Sequence, residues 1–469
     1  MSLAATFSRL QRLGCVANVT PDLVSSVSAL LSVPRPVGAP PPSVYAGFDP
    51  TAPSLHLGHA AVLVFLRRLA TAGLRPIALV GGATALIGDP TGKSQDRAVL
   101  SIASVRANSA RMSAFLQHVL GDDALVLDNA AFYEGLSALD FLRDVGGHFR
   151  LATLLQRETV RERMGWEKGG SGGTARDTPA TGMSFTEFSY PLLQSHDFST
   201  LRRTHGAVLQ IGGADQWGNI AAGVDHIHRV DGSGVVAHGA TVPLLVDPSG
   251  RKFGKSEGNV PVWLDPSLTS HHSLWQEVFA THDAAVPALL RSLSLAPDDA
   301  IDAALADLAS TPERKAAQRL LADGVVEFFR GPAALASAQR TAAILFGGGK
   351  ALLGTLRAED VLALAAEGEV PLARARRADV NESSASASVP ALLVTAGLAS
   401  SRAEARRLIS GGGVYWNWER VSTREGAWRT ADGTAPRSPR ADAVDFIDSR
   451  VAILGVGKKS MAVISLTDD

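Results

Sequence analysis

Residues 45–69 read YAGFDPTAPSLHLGHAAVLVFLRRL: an apolar strand, a loop broken by Pro50, Pro53 and Gly58, then a strongly apolar helix opening at Ala60. A helix start leaves N–H groups unpaired and carries the positive end of the dipole, so it receives anions, and HLGH sets the imidazoles of His56 and His59 there. Gly58 lets a ligand come close. Taken alone, the motif fits a pair of surface histidines in a turn equally well. A metal site is disfavoured, since no acidic or histidine partner lies at a ligand-like spacing nearby.

Outward from this stretch, PIALVGG and ALVLDN read as further strands and Ser104 to Leu120 as a helix. Strands alternating with helices, each strand ending in Gly, Asp or Asn, describe an α/β fold with a parallel sheet and ligands at its carboxyl edge. Residues 165–182, GWEKGGSGGTARDTPATG, break every period and read as a mobile surface insertion. A helix, SFTEFSYPLLQSHDF, follows. The sheet resumes at AVLQIGG and TVPLLV, separated by a helix from Asp215 to His228. Beyond Gly254 the pattern turns helical, around 273–292, 297–308 and 311–345. The expected division is a catalytic domain over 1–265, an α-helical domain over 266–345, a linker over 346–388 and a small unit over 389–469.

The chain has 469 residues, 46% hydrophobic and 19% charged, enough for two or three domains with real cores. No apolar run reaches the roughly 18 residues of a membrane span. The single cysteine, Cys15, permits no intrachain disulfide and points to a reducing compartment. A formal net charge of -1 leaves a nucleic-acid partner open, because only the field over the contact face matters. The first 21 residues hold Arg9 and Arg12 and no acid. That pattern fits an organellar transit sequence or an amphipathic helix of the fold.

A second motif, RKFGKSEGN at 251–259, places Lys252 and Lys255 on a glycine-broken loop after the last strand. Two ammonium groups on one loop can follow charge as it builds on a leaving pyrophosphate, although a lysine pair alone is usually just solvated. HLGH after the first strand together with KFGKS after the last resembles the paired signature of class I aminoacyl-tRNA synthetases. YAGFDPTAPSLHLGH, GGATALIGDPTGKS, SFTEFSYPLLQSHDF, QIGGADQWGN and KFGKS are similar, in order, to the signature blocks of the tyrosyl-tRNA synthetase family of bacteria and mitochondria. The likeness covers nearly the whole chain and implies a Rossmann-like catalytic domain.

Independently of the family, a site that separates tyrosine from phenylalanine must hold polar groups that go unpaired when phenylalanine enters. Tyr190, Gln194 and Asp197 stand at i, i+4 and i+7 of one helix and so share a face. A buried polar network holding the core is the alternative. Asp89, at the carboxyl edge after the second strand, can receive an ammonium or simply cap the turn before Pro90.

The resemblance implies that Asp197 and Tyr45 bond the substrate phenol, that Asp89, Tyr190 and Gln194 hold its ammonium, and that Gln210 and Gln216 approach its carboxylate. Asn129 would line the same pocket. ATP would meet Asp49, Gly58, Gly213, Asp215, Phe253, Gly254 and Ser256, with Asp215 on the ribose. Thr51 and His56 would donate to the γ-phosphate, His59 would lie nearer the ribose, and Lys252, Lys255, Lys93 and Arg97 would close over the phosphates. Magnesium would arrive with ATP, with no dedicated protein cage. Ala46 departs from the family, where many bacterial members carry cysteine.

Residues 389–421, VPALLVTAGLASSRAEARRLISGGGVYWNWERV, resemble the S4-type RNA-binding domain. Ser401 would cap a helix displaying Arg402, Arg406 and Arg407, a row that can grip phosphates or merely be solvated. Lys458 and Lys459 add charge near the end. The family further implies L-tyrosine, ATP and the tyrosine tRNA as partners, a homodimer in contact around 140–190, and no membrane. An organelle, above all the mitochondrial matrix, is the expected location, with a bacterial cytoplasm as the alternative. The rival readings are another nucleotidyl transferase with an HxGH loop, and an RNA-binding or splicing protein on a synthetase scaffold.

Overall fold

Strand β2 (Ser43–Phe48) lies between β3 (Arg75–Val80) and β5 (Ala207–Gly213), and the six strands run in the order β1-β6-β5-β2-β3-β4. Strands β4 (Leu125–Asp128) and β6 (His238–Val242) continue the parallel sheet, while β1 (Asn18–Val19) adds antiparallel to β6. The expected strand TVPLLV therefore starts earlier, at His238, and ends at Val242 because Pro243 cannot donate to the ladder. The order reverses between β2 and β5, so their carboxyl ends open a crevice.

In this computed structural model the described residues are 2–91, 100–164, 182–246, 253–254, 260–346, 355–377, 388–424, 427–429, 446–457 and 460–468. The expected insertion at 165–182 lies, except for Gly182, outside them. The chain forms two compact units, Met1–Asp265 with Val278–Phe329, and Pro266–Glu277 with Arg330–Asp469.

In the first unit, helices α2 (Ala60–Ala70), α3 (Ile102–Leu120), α4 (Phe185–His205) and α5 (Trp217–Asp231) pack on the sheet. Tyr45 is in register with Ile77 and Gln210, and on that face Tyr45, Ile77 and Leu79 share a core with Phe198, Leu201, Val224 and Ile227 of α4 and α5. Ser184 caps α4, its hydroxyl accepting from the Glu187 N–H, and Gly206 ends it in the left-handed conformation. Helix α1 (Leu3–Arg12) buries Leu3, Phe7 and Leu10 at helical spacing, and Arg9 and Arg12 pair with Asp298 at 2.6 and 2.8 Å. The arginine pattern of the first 21 residues thus reports a helix of the fold. Buried Arg68 donates to the carbonyls of Arg291 (2.7 Å) and Ser294 (2.6 Å), which joins helix Val286–Leu293 to α2. The stretch expected as one helical domain, 266–345, is shared between the units: Val286–Leu293 and Asp298–Ser310 belong to the first, Pro332–Phe346 to the second.

The second unit is built on the sheet β7-β13-β12-β8-β9, comprising Leu372–Arg376, Ser460–Thr467, Val451–Val456, Val414–Trp416 and Glu419–Arg420. Two further short strands, β10 (Ser422–Arg424) and β11 (Ala427–Arg429), pair with each other. Helices Val389–Thr395 and Arg402–Ser410 cover one face through Leu392, Leu393, Ala405 and Ile409, and helix Ala358–Ala366 covers the other through Val361 and Leu364. Within the stretch expected as a linker, 358–366 is therefore a helix and 372–376 a strand. LARAR alternates buried alanine with exposed arginine, the period of an edge strand.

Candidate active site

The crevice at the carboxyl ends of β2 and β5 is a cleft of about 470 Å³. Tyr45, Asp49, Thr51, His56, Gly58, His59, Asp89, Asn129, Tyr190, Gln194, Asp197, Gln210, Gly213, Asp215, Gln216 and Phe253 all line it. Residues as distant in sequence as Tyr45 and Phe253 meet there because the strand order brings the ends of β2, β3, β4 and β5 together.

At one end, α4 turns Tyr190, Gln194 and Asp197 to the cleft. The Asp197 carboxylate is 3% exposed and accepts from Asn129 Nδ2 at 2.9 Å and from the Tyr133 hydroxyl at 2.8 Å. Burial raises its pKa to about 7 against those two bonds, with the charges of Asp49 and Asp128 adding to the rise. Tyr45 stands opposite on β2, its ring against Phe198 at 5.2 Å, and its buried hydroxyl has no partner among the described residues. Burial, then the Asp197 charge, pushes its phenol well above the ordinary range, so it stays protonated. The amide oxygens of Gln194 and Gln210 are likewise buried without a partner. A cleft that strands a hydroxyl and two amide oxygens is arranged for a polar ligand.

Two further carboxylates complete the floor. Asp49 accepts from the hydroxyls of Tyr190 (2.9 Å) and Thr84 (2.7 Å), so it supports α4 as well as lining the cleft. The Tyr190 oxygen keeps its lone pairs for a donor such as an ammonium. Asp89 accepts from the Thr91 N–H (3.0 Å) and hydroxyl (2.6 Å), and from Gln216 Nε2 (2.6 Å). Asp89 therefore caps its turn and faces the cleft at once, while the Gln216 amide nitrogen expected near a substrate carboxylate is engaged by Asp89.

At the other end, His56 Nδ1 accepts from the Gly58 N–H at 3.0 Å, which leaves the proton of the neutral ring on Nε2 as a donor. The His59 ring lies 4.2 Å from that of His56, and burial followed by the neighbouring ring lowers its pKa to about 3, so it is neutral. The two signature motifs meet directly. Gly254, at φ +103°, approaches so closely that a Cβ there would stand 2.4 Å from the Gly58 nitrogen. Beside that contact, Leu57 N donates to Val262 O (2.9 Å) and Leu264 N to Leu55 O (2.8 Å). Lys93, Arg97, Lys252, Lys255 and Ser256 lie outside the described residues, as do Lys458 and Lys459.

In the second unit, Ser401 caps helix Arg402–Ser410 as expected, accepting from the Glu404 N–H. Arg402, Arg406 and Arg407 are exposed, with Ala405 and Ile409 buried on the opposite face. Sequence reading missed Thr84 and Tyr133: neither stands at a strand end or on the Tyr190 face, and only the packing of 129–133 against α4 brings Tyr133 to Asp197.

Residues 39–347 match the family of tRNA synthetases class I (W and Y), and residues 389–424 match the S4 domain. The chain is 43% identical to the tyrosine--tRNA ligase of Aeromonas hydrophila over 84% of its own length and 88% of the relative's. It is 39% identical to that of Acidothermus cellulolyticus, over 85% and 89%. Among solved structures it is similar to a C-terminally truncated mitochondrial tyrosyl-tRNA synthetase of Aspergillus nidulans, with a TM-score of 0.61 and 28% identity, covering 73% of this chain and 94% of that one.

Proposed function

The chain belongs to the class I tRNA synthetases for tryptophan and tyrosine, and from that premise we infer that it is a tyrosine--tRNA ligase. It activates L-tyrosine with ATP to tyrosyl-adenylate and then transfers the tyrosyl group to the 3′ end of its tRNA. The observation that carries tyrosine over tryptophan is the buried pair of Tyr45 hydroxyl and Asp197 carboxylate at the closed end of the cleft. A phenol donates to the carboxylate and accepts from Tyr45. An indole N–H can only donate, and phenylalanine does neither.

The tyrosine carboxylate attacks the α-phosphorus of the magnesium–ATP substrate and pyrophosphate leaves. Negative charge then grows on the β- and γ-phosphates, where Thr51 and the His56 Nε2–H donate, and Lys252, Lys255, Lys93 and Arg97 supply positive charge. Asp89, Tyr190 and Gln194 hold the ammonium, and Asp215 takes the ribose. No protein nucleophile is needed, since the enzyme contributes position and electrostatic stabilisation. Exposed Arg402, Arg406 and Arg407 grip tRNA phosphates.

A homodimer is part of this reading, supported by the exposed side chains of Leu139 (78%), Leu142 (50%), Leu151 (64%) and Phe185 (72%). Paired Leu139→Asp and Leu142→Asp substitutions should yield a monomer in sedimentation, and an unchanged mass overturns that part. An organellar place of work rests on the likeness to the Aspergillus nidulans enzyme, whereas the Aeromonas hydrophila and Acidothermus cellulolyticus relatives are bacterial. A tagged full chain found outside organelles overturns it.

The deciding experiment is amino-acid-dependent ATP/pyrophosphate exchange. Exchange driven by tyrosine, and not by tryptophan or phenylalanine, is expected; no exchange with any of the three from folded protein sinks the assignment.

A further inference from the structure

Asp197 meets its ligand with half of its bonding already fixed. Tyr133 donates to Oδ1 and Asn129 to Oδ2, and both donors come from the single helical turn Asn129–Tyr133 that follows β4. The Tyr133 ring packs in a cluster with His196, 5.4 Å away, and Phe141, 6.4 Å away, and its hydroxyl also lies 3.1 Å from Leu193 O. Asn129 is anchored in turn, its Oδ1 accepting from the Ala83 N–H at 2.8 Å. A donor on each oxygen sets the carboxylate plane and leaves one lone pair on each.

We propose that Tyr133 is a positioning residue for phenol recognition: an internal phenol that orients Asp197 so that its remaining lone pair meets the hydroxyl of incoming tyrosine, thereby setting discrimination against phenylalanine. The proposal rests on the tyrosine reading of the site. Tyr133 makes on one side of Asp197 the bond that the substrate makes on the other. Without it the carboxylate can turn toward Asn129 and the Tyr45 hydroxyl, which satisfies Tyr45 and removes the penalty on entry of phenylalanine.

Protonation gives an independent readout. The groups facing Asp197 are Tyr45 of β2, Asp49 beyond it, Asp128 ending β4, Asn129 and Tyr133 of the turn that follows, and Tyr190 on α4 itself. Burial raises the Asp197 pKa, the bonds from Asn129 and Tyr133 lower it, and Asp49 and Asp128 raise it. Tyr133→Phe keeps the ring packed with His196 and Phe141 and deletes one lowering bond. The carboxylate then takes up its proton at higher pH.

The experiment is tyrosine- and phenylalanine-dependent ATP/pyrophosphate exchange from pH 6 to 9 on the full chain and its Tyr133→Phe variant. The expected result is a rise in KM for tyrosine of about tenfold with kcat nearly unchanged, the worth of one hydrogen bond to a charged group. The acid limb of kcat/KM moves to higher pH and the tyrosine-over-phenylalanine ratio falls by about the same factor. A variant with unmoved KM and unmoved acid limb overturns the proposal, and so does a loss confined to kcat, which marks a merely structural role. Wild-type protein that exchanges with neither amino acid sinks the tyrosine reading, and this proposal with it.

Discussion

The polar groups of the cleft and those of helix Arg402–Ser410 are placed in opposite surroundings. At the cleft floor Asp197, Asp89 and Asp49 are each held by two or more named donors, and Asp197 is shut from water. On the helix, Arg402, Arg406 and Arg407 stand in solvent, while Ser401 caps the helix start and the Glu404 carboxylate accepts from the Ser400 N–H at 2.7 Å. Choosing among amino acids that differ by one hydroxyl needs groups whose unmet bonds are costly, and that cost exists only where water is excluded. Gripping a polyanion needs charge that stays hydrated until counterions leave.

Substitutions should separate the two regions sharply. Asp197→Ala removes the buried acceptor of the Tyr133 and Asn129 bonds and of the substrate phenol, so tyrosine-dependent exchange should fall by about 10²–10³-fold. A loss under fivefold would place recognition elsewhere. Gly254→Ala forces a Cβ into the backbone of Gly58 and onto a left-handed φ. Exchange should drop by about 10-fold or more in kcat while KM for tyrosine stays put, because the change strikes the junction of the two signature motifs and not the tyrosine end. Equal damage to both constants would mean that the cleft behaves as one block.

Replacing Arg402, Arg406 and Arg407 with alanine should leave pyrophosphate exchange intact. It should weaken tRNA binding and reduce the slope of log affinity against log salt by about 2–3, as measured by filter binding across salt. An unchanged slope would return these arginines to the role of a solvated face. The smallest effect concerns stability. The folded pKa of Asp197, about 7, lies above an unfolded value near 4, so the folded state holds a proton that the unfolded chain releases. The contribution is therefore favourable below pH 4 and is lost as pH rises toward and beyond 7. Asp197→Asn should gain a few degrees of Tm over wild type at pH 8 relative to the same comparison at pH 4.

Much of this was legible in the sequence wherever the signal was local. The strand–loop–helix of 45–69 and the shared face of Tyr190, Gln194 and Asp197 follow from periodicity, and the parallel sheet follows from alternation. Ser401 reads as a cap from its own neighbourhood. Tyr133 does not, because AAFY carries no period and its role depends on a turn being laid against α4. The engagement of Gln216 with Asp89 joins residues 127 positions apart, which no spacing rule reaches. LARAR shows its alternation plainly, yet its Ala- and Glu-rich surroundings read as a linker. Only the pairing with β13 identifies it as a strand.

That pairing bears on how the second unit comes into being. Strand β13 lies between β7 and β12, and successive residues of it, Val463 and Ile464, enter the cores on opposite faces of the sheet. Strand β13 is thus an interior strand, and it parallels β7, which leaves the ribosome well before it, Leu372 opposite Val463. Until it emerges, β7 has no neighbour and neither core has its wall. During synthesis the first unit can close over its cleft while the second still waits for β13. A chain interrupted before Ser460 would carry a formed first unit and an unassembled second one.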